Sequence, residues 1–139
     1  ILQRFSDTHP KLAGPWLNLG IALRHSGDEE QAEQALTRAV EINPDDAATW
    51  QQLGILRRQQ GNFDAALDAY KKALALDPGY ALAHRNIGIL YDLYLRNPSA
   101  ALDHYTKYQS LSEQPDAEVG RWIVDLKRRI GNTQASSSS

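Results

Sequence analysis

The chain of 139 residues has no cysteine, no methionine and only two phenylalanines. No apolar run approaches the ~20 residues that a membrane-spanning helix needs. Without cysteine there is no disulfide framework, thiolate nucleophile or cysteine-bearing zinc site, and the compartment stays open. The absence of methionine even at position 1 reads as a piece cut from a longer precursor or protein, with room upstream for an anchor or export signal. The N-terminus shows no basic region followed by an apolar signal segment. Charge of one sign is also missing: a net charge of −2 draws neither a phosphate backbone nor an anionic membrane surface, which argues against nucleic acid as a partner and against direct membrane insertion.

What the chain does have is the composition of a folded protein, 42% hydrophobic and 23% charged, too apolar for intrinsic disorder and long enough for one compact domain or one short solenoid. It also has an internal repeat. Trp16-Leu17-Asn18-Leu19-Gly20 returns 34 residues later as Trp50-Gln51-Gln52-Leu53-Gly54, and 34 later again as His84-Arg85-Asn86-Ile87-Gly88. Downstream, Ala32, Leu36, Ala39 and Pro44 correspond to Ala66, Tyr70, Ala73 and Pro78. Ala101, Tyr105 and Tyr108 fall in the same places once one extra residue is allowed in the preceding turn.

Each unit reads as two helices. Gly27-Asp28 and Gly61-Asn62 are glycine stops followed by a short polar residue able to cap the next helix. Between the breaks apolar residues recur at three and four spacing, as in Leu67, Tyr70 and Leu74, the helical and not the strand period. Asn43-Pro44 and Asp77-Pro78 end the second helices, because proline disfavours helical geometry in the residue before it. Gly20, Gly54, Gly88, Ala32, Ala66 and Ala101 sit where paired helices must approach closely. The spacing predicts helix pairs over about 14–42, 47–76 and 81–112, a closing helix near 116–130, and no strand.

The tryptophan, leucine, glycine, alanine, aromatic and proline positions resemble the tetratricopeptide repeat family over residues 13 to about 112. The resemblance implies an all-α fold, a right-handed α-solenoid of helix-turn-helix units with a C-terminal capping helix and a concave groove lined mainly by the first helices. The organisation expected is the second helix and turn of a truncated repeat over 1–12, repeats over 13–46, 47–80 and 81–115, the capping helix over 116–130, and a polar serine-rich tail over 131–139. In the N-terminal piece Pro10, Phe5 and Leu2 project onto second-helix positions. In the closing helix Val119, Trp122, Ile123, Leu126 and Ile130 form one apolar stripe, and its polar side suits the end of a solenoid.

The third unit departs from the others. Its first helix is expected to run on through Tyr91-Asp92-Leu93-Tyr94-Leu95, with the extra residue in the corner before Pro98. Tyr80, Tyr91, Tyr94, Tyr105 and Tyr108 gather there, either filling a wider corner against the closing helix or presenting an aromatic contact surface.

Residues for chemistry are sparse. His9, His25, His84 and His104 make no metal signature; Asp103 precedes His104 directly, and adjacent helical residues do not face each other. His84 replaces the signature tryptophan and reads as a half-buried packing residue, while His25 suits the end of a helix. No nucleophile elbow, phosphate loop or dinucleotide fingerprint is present. The reading is therefore no enzyme, no metal and no cofactor.

Family geometry implies that the groove is lined by Gly14, Leu17, Ile21, Arg24 and His25; by Ala48, Gln51, Ile55, Arg58 and Gln59; and by Leu82, Arg85, Ile89, Asp92 and Leu93. Ile21, Ile55 and Ile89 would form a row, either exposed for a partner or packed between adjacent first helices. The first helices carry Arg24, Arg57, Arg58 and Arg85 against only Asp92, so the groove is expected to be basic and to suit an apolar segment with acidic flanks. Chaperone adaptors of the family hold a C-terminal carboxylate with lysine, asparagine and further basic residues. The matching positions here are Leu17, Ile21, Gln52, Leu82 and Asn86, so that clamp is absent. The function expected is a protein-interaction scaffold that binds a peptide or protein segment. The alternative is self-association into a homo-oligomer through the terminal helices or the tyrosine-rich third unit. Residues 86–94 with 122–126 are similar to bacterial members that serve envelope assemblies, which implies a periplasmic or envelope site, with the cytoplasm as the other option.

Overall fold

The computed structural model describes residues 12–138, with side chains through Gln134. The truncated repeat expected over 1–12 lies outside the described residues, apart from Leu12. Among them are seven α-helices and no strand: α1 (Gly14–Ser26), α2 (Glu29–Ile42), α3 (Ala47–Gln59), α4 (Phe63–Leu76), α5 (Ala81–Leu93), α6 (Pro98–Leu111) and α7 (Ala117–Ser138). The chain divides into two compact units, Ile1–Pro78 and Gly79–Ser139.

In the first unit, two residues finish one helix and start the next. Gly27 adopts φ 89° and Gly61 φ 80°, the left-handed region that a side chain resists. With Gly27 in that conformation the Asp28 amide donates back to the Leu23 carbonyl at 2.9 Å; after Gly61 the Asn62 amide does the same to Arg57 at 2.9 Å. Asp28 then caps α2 by accepting from the Gln31 amide at 3.2 Å, whereas the Asn62 side chain makes no such bond. Asp46 caps α3, with one carboxylate oxygen on the Ala48 amide at 3.0 Å and the other on the Thr49 hydroxyl at 3.1 Å.

The pairs α1–α2 and α3–α4 close around small residues. A Cβ built on Gly20 would lie 2.6 Å from Leu36, and one on Gly54 would lie 2.4 Å from the Tyr70 ring. Ala32, Leu36, Leu53, Leu56 and Ala69 form the main core, with Leu17, Leu23, Val40 and Trp50 packed on it. Each large side chain fully withdrawn from water there contributes about 1.5–3 kcal/mol.

The second unit repeats the arrangement once. A Cβ on Gly88 would lie 2.5 Å from the Tyr105 ring. Its core joins Ala101, Tyr105, Val119 and Leu126, with Ile89, Tyr91, Tyr108, Trp122 and Ile123 around them. The α5–α6 corner differs from the sequence reading: α5 stops at Leu93 and does not run on through Leu95. The Tyr94 and Leu95 amides both turn back to the Leu90 carbonyl, at 3.0 and 2.9 Å. The extra residue is absorbed by Arg96, at φ 52° in the place that glycine holds in the other corners. Asn97 then caps α6 through the Ala100 amide at 3.1 Å.

At the next junction Gln109 clamps the backbone of Asp116, donating to its carbonyl at 2.8 Å and accepting from its amide at 3.0 Å. The Asp116 carboxylate accepts from the Glu118 and Val119 amides and from the Tyr108 hydroxyl. The Val119 amide, and then the tyrosine and the other donors, hold that carboxyl below its usual range. α7 continues to Ser138, past the end near 130 expected from the apolar stripe. The stripe stops at Ile130, but no proline follows it and the helix runs on through Gly131, and Thr133 and Gln134 lie beside Pro98 and Ser99 at the start of α6.

Candidate functional site

In the first unit the residues expected to line a groove separate into three kinds. Leu17, Ile21 and Ile55 are half-buried, and Leu17 packs on the core. Gln51 is buried at 3% exposure, with its Oε1 enclosed and without a partner. His25 and Gln59 are exposed at the helix ends, and Gly14 and Ala48 bring little side chain. Arg24 and Arg58 stand at equivalent places on α1 and α3, each four residues after the close-packing glycine.

Arg24 is half-buried, and its Nη2 donates to Gln52 Oε1 on α3 at 3.1 Å. The same nitrogen lies 3.4 Å from His25 Nε2. Its Nε is enclosed and has no partner. Desolvation, followed by the nearby positive charge of Arg58, lowers the Arg24 pKa. Among the described residues no carboxylate forms an ion pair with Arg24 or Arg58. Beside them Tyr70 from α4 is fully buried, and its hydroxyl has no hydrogen-bond partner among the described residues. Burial pushes its pKa up to about 12, against the opposing effect of Arg58 and Arg24. The cluster therefore holds donors and positive charge with no acceptor of opposite sign among the described residues, next to two half-exposed isoleucines.

The corresponding residues of the second unit are already engaged. Arg85 lies 4.0 Å from the Asp116 carboxylate and 5.3 Å from the centre of the Trp122 ring. Ile89 packs, alongside Trp122 and Ile123, on the core of Ala101, Tyr105, Val119 and Leu126. One Asp92 oxygen accepts from Arg129 at 2.9 Å, and the other accepts from the Tyr105 hydroxyl at 3.3 Å. Burial and then the Asp92 charge push the Tyr105 pKa well above its ordinary value. The side chains of α7 thus meet this face of α5 and leave a cleft of about 430 Å³ between Ile89, Asp92, Trp122 and Arg129. Leu82 and Leu93 remain exposed.

Sequence reasoning missed several members of these clusters. Tyr70 was visible as the aromatic of the repeat, but nothing in one sequence shows that its hydroxyl lacks a partner. Arg129 and Asp116 lie outside the repeat and became partners only once α7 was placed. His84 and His104 come together across the α5–α6 pair, Nδ1 to Nδ1 at 3.1 Å, and Tyr91 stacks on His104 with ring centres 5.9 Å apart. Of the tyrosines, Tyr105 packs on Trp122 and Tyr108 bonds Asp116, whereas Tyr94 is 44% exposed. No group of three or more His, Cys, Asp or Glu among the described residues is arranged to hold a metal ion. No helix among them is long and apolar enough to cross a membrane.

Two family models, both described as tetratricopeptide repeat, match residues 16–78 and 52–118. Among solved structures the chain is similar to the MamA protein, with a TM-score of 0.71 and 25% identity, over 79% of this chain and 60% of that one. It thus spans about 60% of the MamA chain. It is also similar in fold to the first repeat domain of Spaghetti (RPAP3) bound to the HSP90 peptide SRMEEVD, with a TM-score of 0.79 and 16% identity, over 86% of this chain and 93% of that one. No curated protein matches significantly. The pairing of helices around Gly20, Gly54 and Gly88 agrees with both family matches, and the chain belongs to the tetratricopeptide repeat family.

Proposed function

We propose that this chain is a non-enzymatic interaction module that holds a segment of another protein, apolar with an acidic flank, against the α1 and α3 face of its first unit. The observation that carries this reading is the pair of guanidinium groups, Arg24 and Arg58, without a carboxylate partner among the described residues and next to the half-exposed Ile21 and Ile55. Charge left unopposed beside apolar surface favours a ligand of opposite charge that also covers the isoleucines. A related fold is known with a peptide bound, which supports a peptide as the class of ligand. The equivalent residues Arg85, Ile89 and Asp92 contribute less to this reading, since α7 engages them. Short segments must be ordered on binding, so a micromolar constant, about −8 kcal/mol, is expected.

The test is to select twelve-residue peptides from a random display library on the whole chain and measure their affinity for Ile55→Glu and Arg58→Glu. Loss of binding by folded variants supports the reading; unchanged binding to both refutes it. A second reading, self-association, is favoured by the exposed Leu93 and Tyr94 at the end of α5, 64% and 44% exposed. Light scattering at several concentrations tests it, and a strict monomer removes it.

A further inference from the structure

The two units carry the same three-part arrangement, complete in one and incomplete in the other. In the second unit the Tyr105 ring crosses α5 at Gly88, and its hydroxyl reaches Asp92, four residues further along the helix. Asp92 uses its second oxygen to accept from Arg129. One carboxylate is thereby held between a tyrosine hydroxyl and a guanidinium. In the first unit the Tyr70 ring crosses α3 at Gly54 in the same way. Four residues along from that glycine stands Arg58 where the other unit has Asp92. The tyrosine hydroxyl is buried with no acceptor, and Arg24 Nε is also enclosed without a partner.

The first unit therefore keeps the tyrosine and the positive charge but has replaced the carboxylate. A buried hydroxyl without a partner costs stability, and two neighbouring guanidiniums repel each other. An external carboxylate would relieve both at once. We infer that Tyr70, Arg58 and Arg24 form a subsite for a single carboxylate of the bound segment, which takes one oxygen to the Tyr70 hydroxyl and the other to a guanidinium, as Asp92 does within the second unit. The inference rests on the peptide-holding reading above and adds to it the chemical group recognised and the residues that select it. Tyr70 acts as the discriminating donor: its hydroxyl is enclosed in the unbound chain, and a carboxylate oxygen reaches it as the neighbouring guanidinium side chains turn to pair with the ligand. The carboxylate has two sources, an Asp or Glu side chain or a C-terminus.

The experiment uses the library-selected peptides in three forms: the original, a twin with each Asp or Glu changed to Asn or Gln, and an original with its C-terminus switched between amide and free acid. Affinities are measured on the whole chain and on its Tyr70→Phe, Arg58→Gln and Ile55→Glu variants, with folding checked by thermal melts. The expected result is that removal of one carboxylate weakens binding to the unaltered chain about tenfold or more. On Tyr70→Phe and on Arg58→Gln that penalty should fall below threefold. Whether the sensitive group is a side chain or the terminus identifies the source. A penalty that persists undiminished in both variants, while Ile55→Glu still abolishes binding, overturns the subsite and leaves the peptide-holding reading intact. Binding that Ile55→Glu does not affect overturns that reading and the subsite with it.

Discussion

Changing Tyr70 or Tyr105 to phenylalanine removes one oxygen at equivalent places of two repeats, and the structure predicts opposite signs for the two effects. At pH 7 both hydroxyls are neutral, since burial raises both pKa values. The Tyr70 oxygen is enclosed without a partner, so it was stripped of water with nothing in return. An unmet polar group of this kind costs about 1–3 kcal/mol, and its removal leaves a void smaller than a methyl group. Tyr70→Phe should therefore stabilise the chain by about 0.5–2 kcal/mol. Tyr105 donates to Asp92 at 3.3 Å. A bond to a charged acceptor contributes ~1.5–3 kcal/mol when well formed, and at this length about 1–2. Tyr105→Phe should lower stability by that amount. The variants should then differ by about 1.5–4 kcal/mol, and melting temperatures shift roughly 2–6 °C per kcal/mol for chains of this size. Thermal melts followed by circular dichroism, with urea titrations as the equilibrium check, give both numbers. If Tyr70→Phe is destabilised as much as Tyr105→Phe, the Tyr70 hydroxyl has a partner within the chain and the argument for an open subsite fails.

Three further outcomes follow from the packing and the charges. Gly54→Ala should destabilise despite the ~1 kcal/mol that alanine gains in a helix, because its Cβ would lie 2.4 Å from a buried tyrosine ring and overpacking costs about 1–3 kcal/mol; an unchanged or higher melting temperature would show that the ring can yield. Asp116→Asn should lower the melting temperature at pH 7 by removing the charge held by the Val119 amide and Tyr108. Because the folded pKa is depressed, this advantage of the native chain is fully present above the ordinary carboxylate value and should vanish as pH falls through the folded one, a trend that melts from pH 7 to pH 2 would show or deny. Arg129→Gln should shorten the protected length of α7 in hydrogen exchange, since Arg129 ties that helix to Asp92 on α5 and pairs with Asp125 one turn back on α7 itself; equal protection of residues 126–134 in both chains would count against that tie.

Most of the fold could be read from spacing, because the repeat fixes where helices must cross. Gly20, Gly54 and Gly88 were legible as points of close approach, although only the structure shows that Leu36, Tyr70 and Tyr105 lie against them. Helix ends set by glycine and proline were equally legible. The corner after α5 was not, since Arg96 adopts φ 52° where no glycine marks the turn and arginine gives no sign of it. The length of α7 was hidden for a related reason: helix can propagate through polar residues beyond the apolar stripe once it is nucleated. At the site, a face assignment could place Arg24, Arg58 and Ile55 together, but not decide which charges were already paired. Arg85 and Asp92 carry the same position labels as the others and are taken up by Asp116, Trp122 and Arg129. Partner choice of that kind depends on angstrom-scale placement of side chains from different helices, which a single sequence does not encode in any local pattern.

Where a bound segment sits on the molecule decides between its two faces. Methyl NMR of the whole chain, with its isoleucine δ1 methyls labelled and a selected peptide added, reports this site by site. Saturable shifts are expected at Ile21 and Ile55, with Ile89, packed on the core of Ala101, Tyr105, Val119 and Leu126, moving least. Shifts at Ile89 and Ile123 with Ile21 and Ile55 unmoved would contradict this expectation and put the binding face on the second unit.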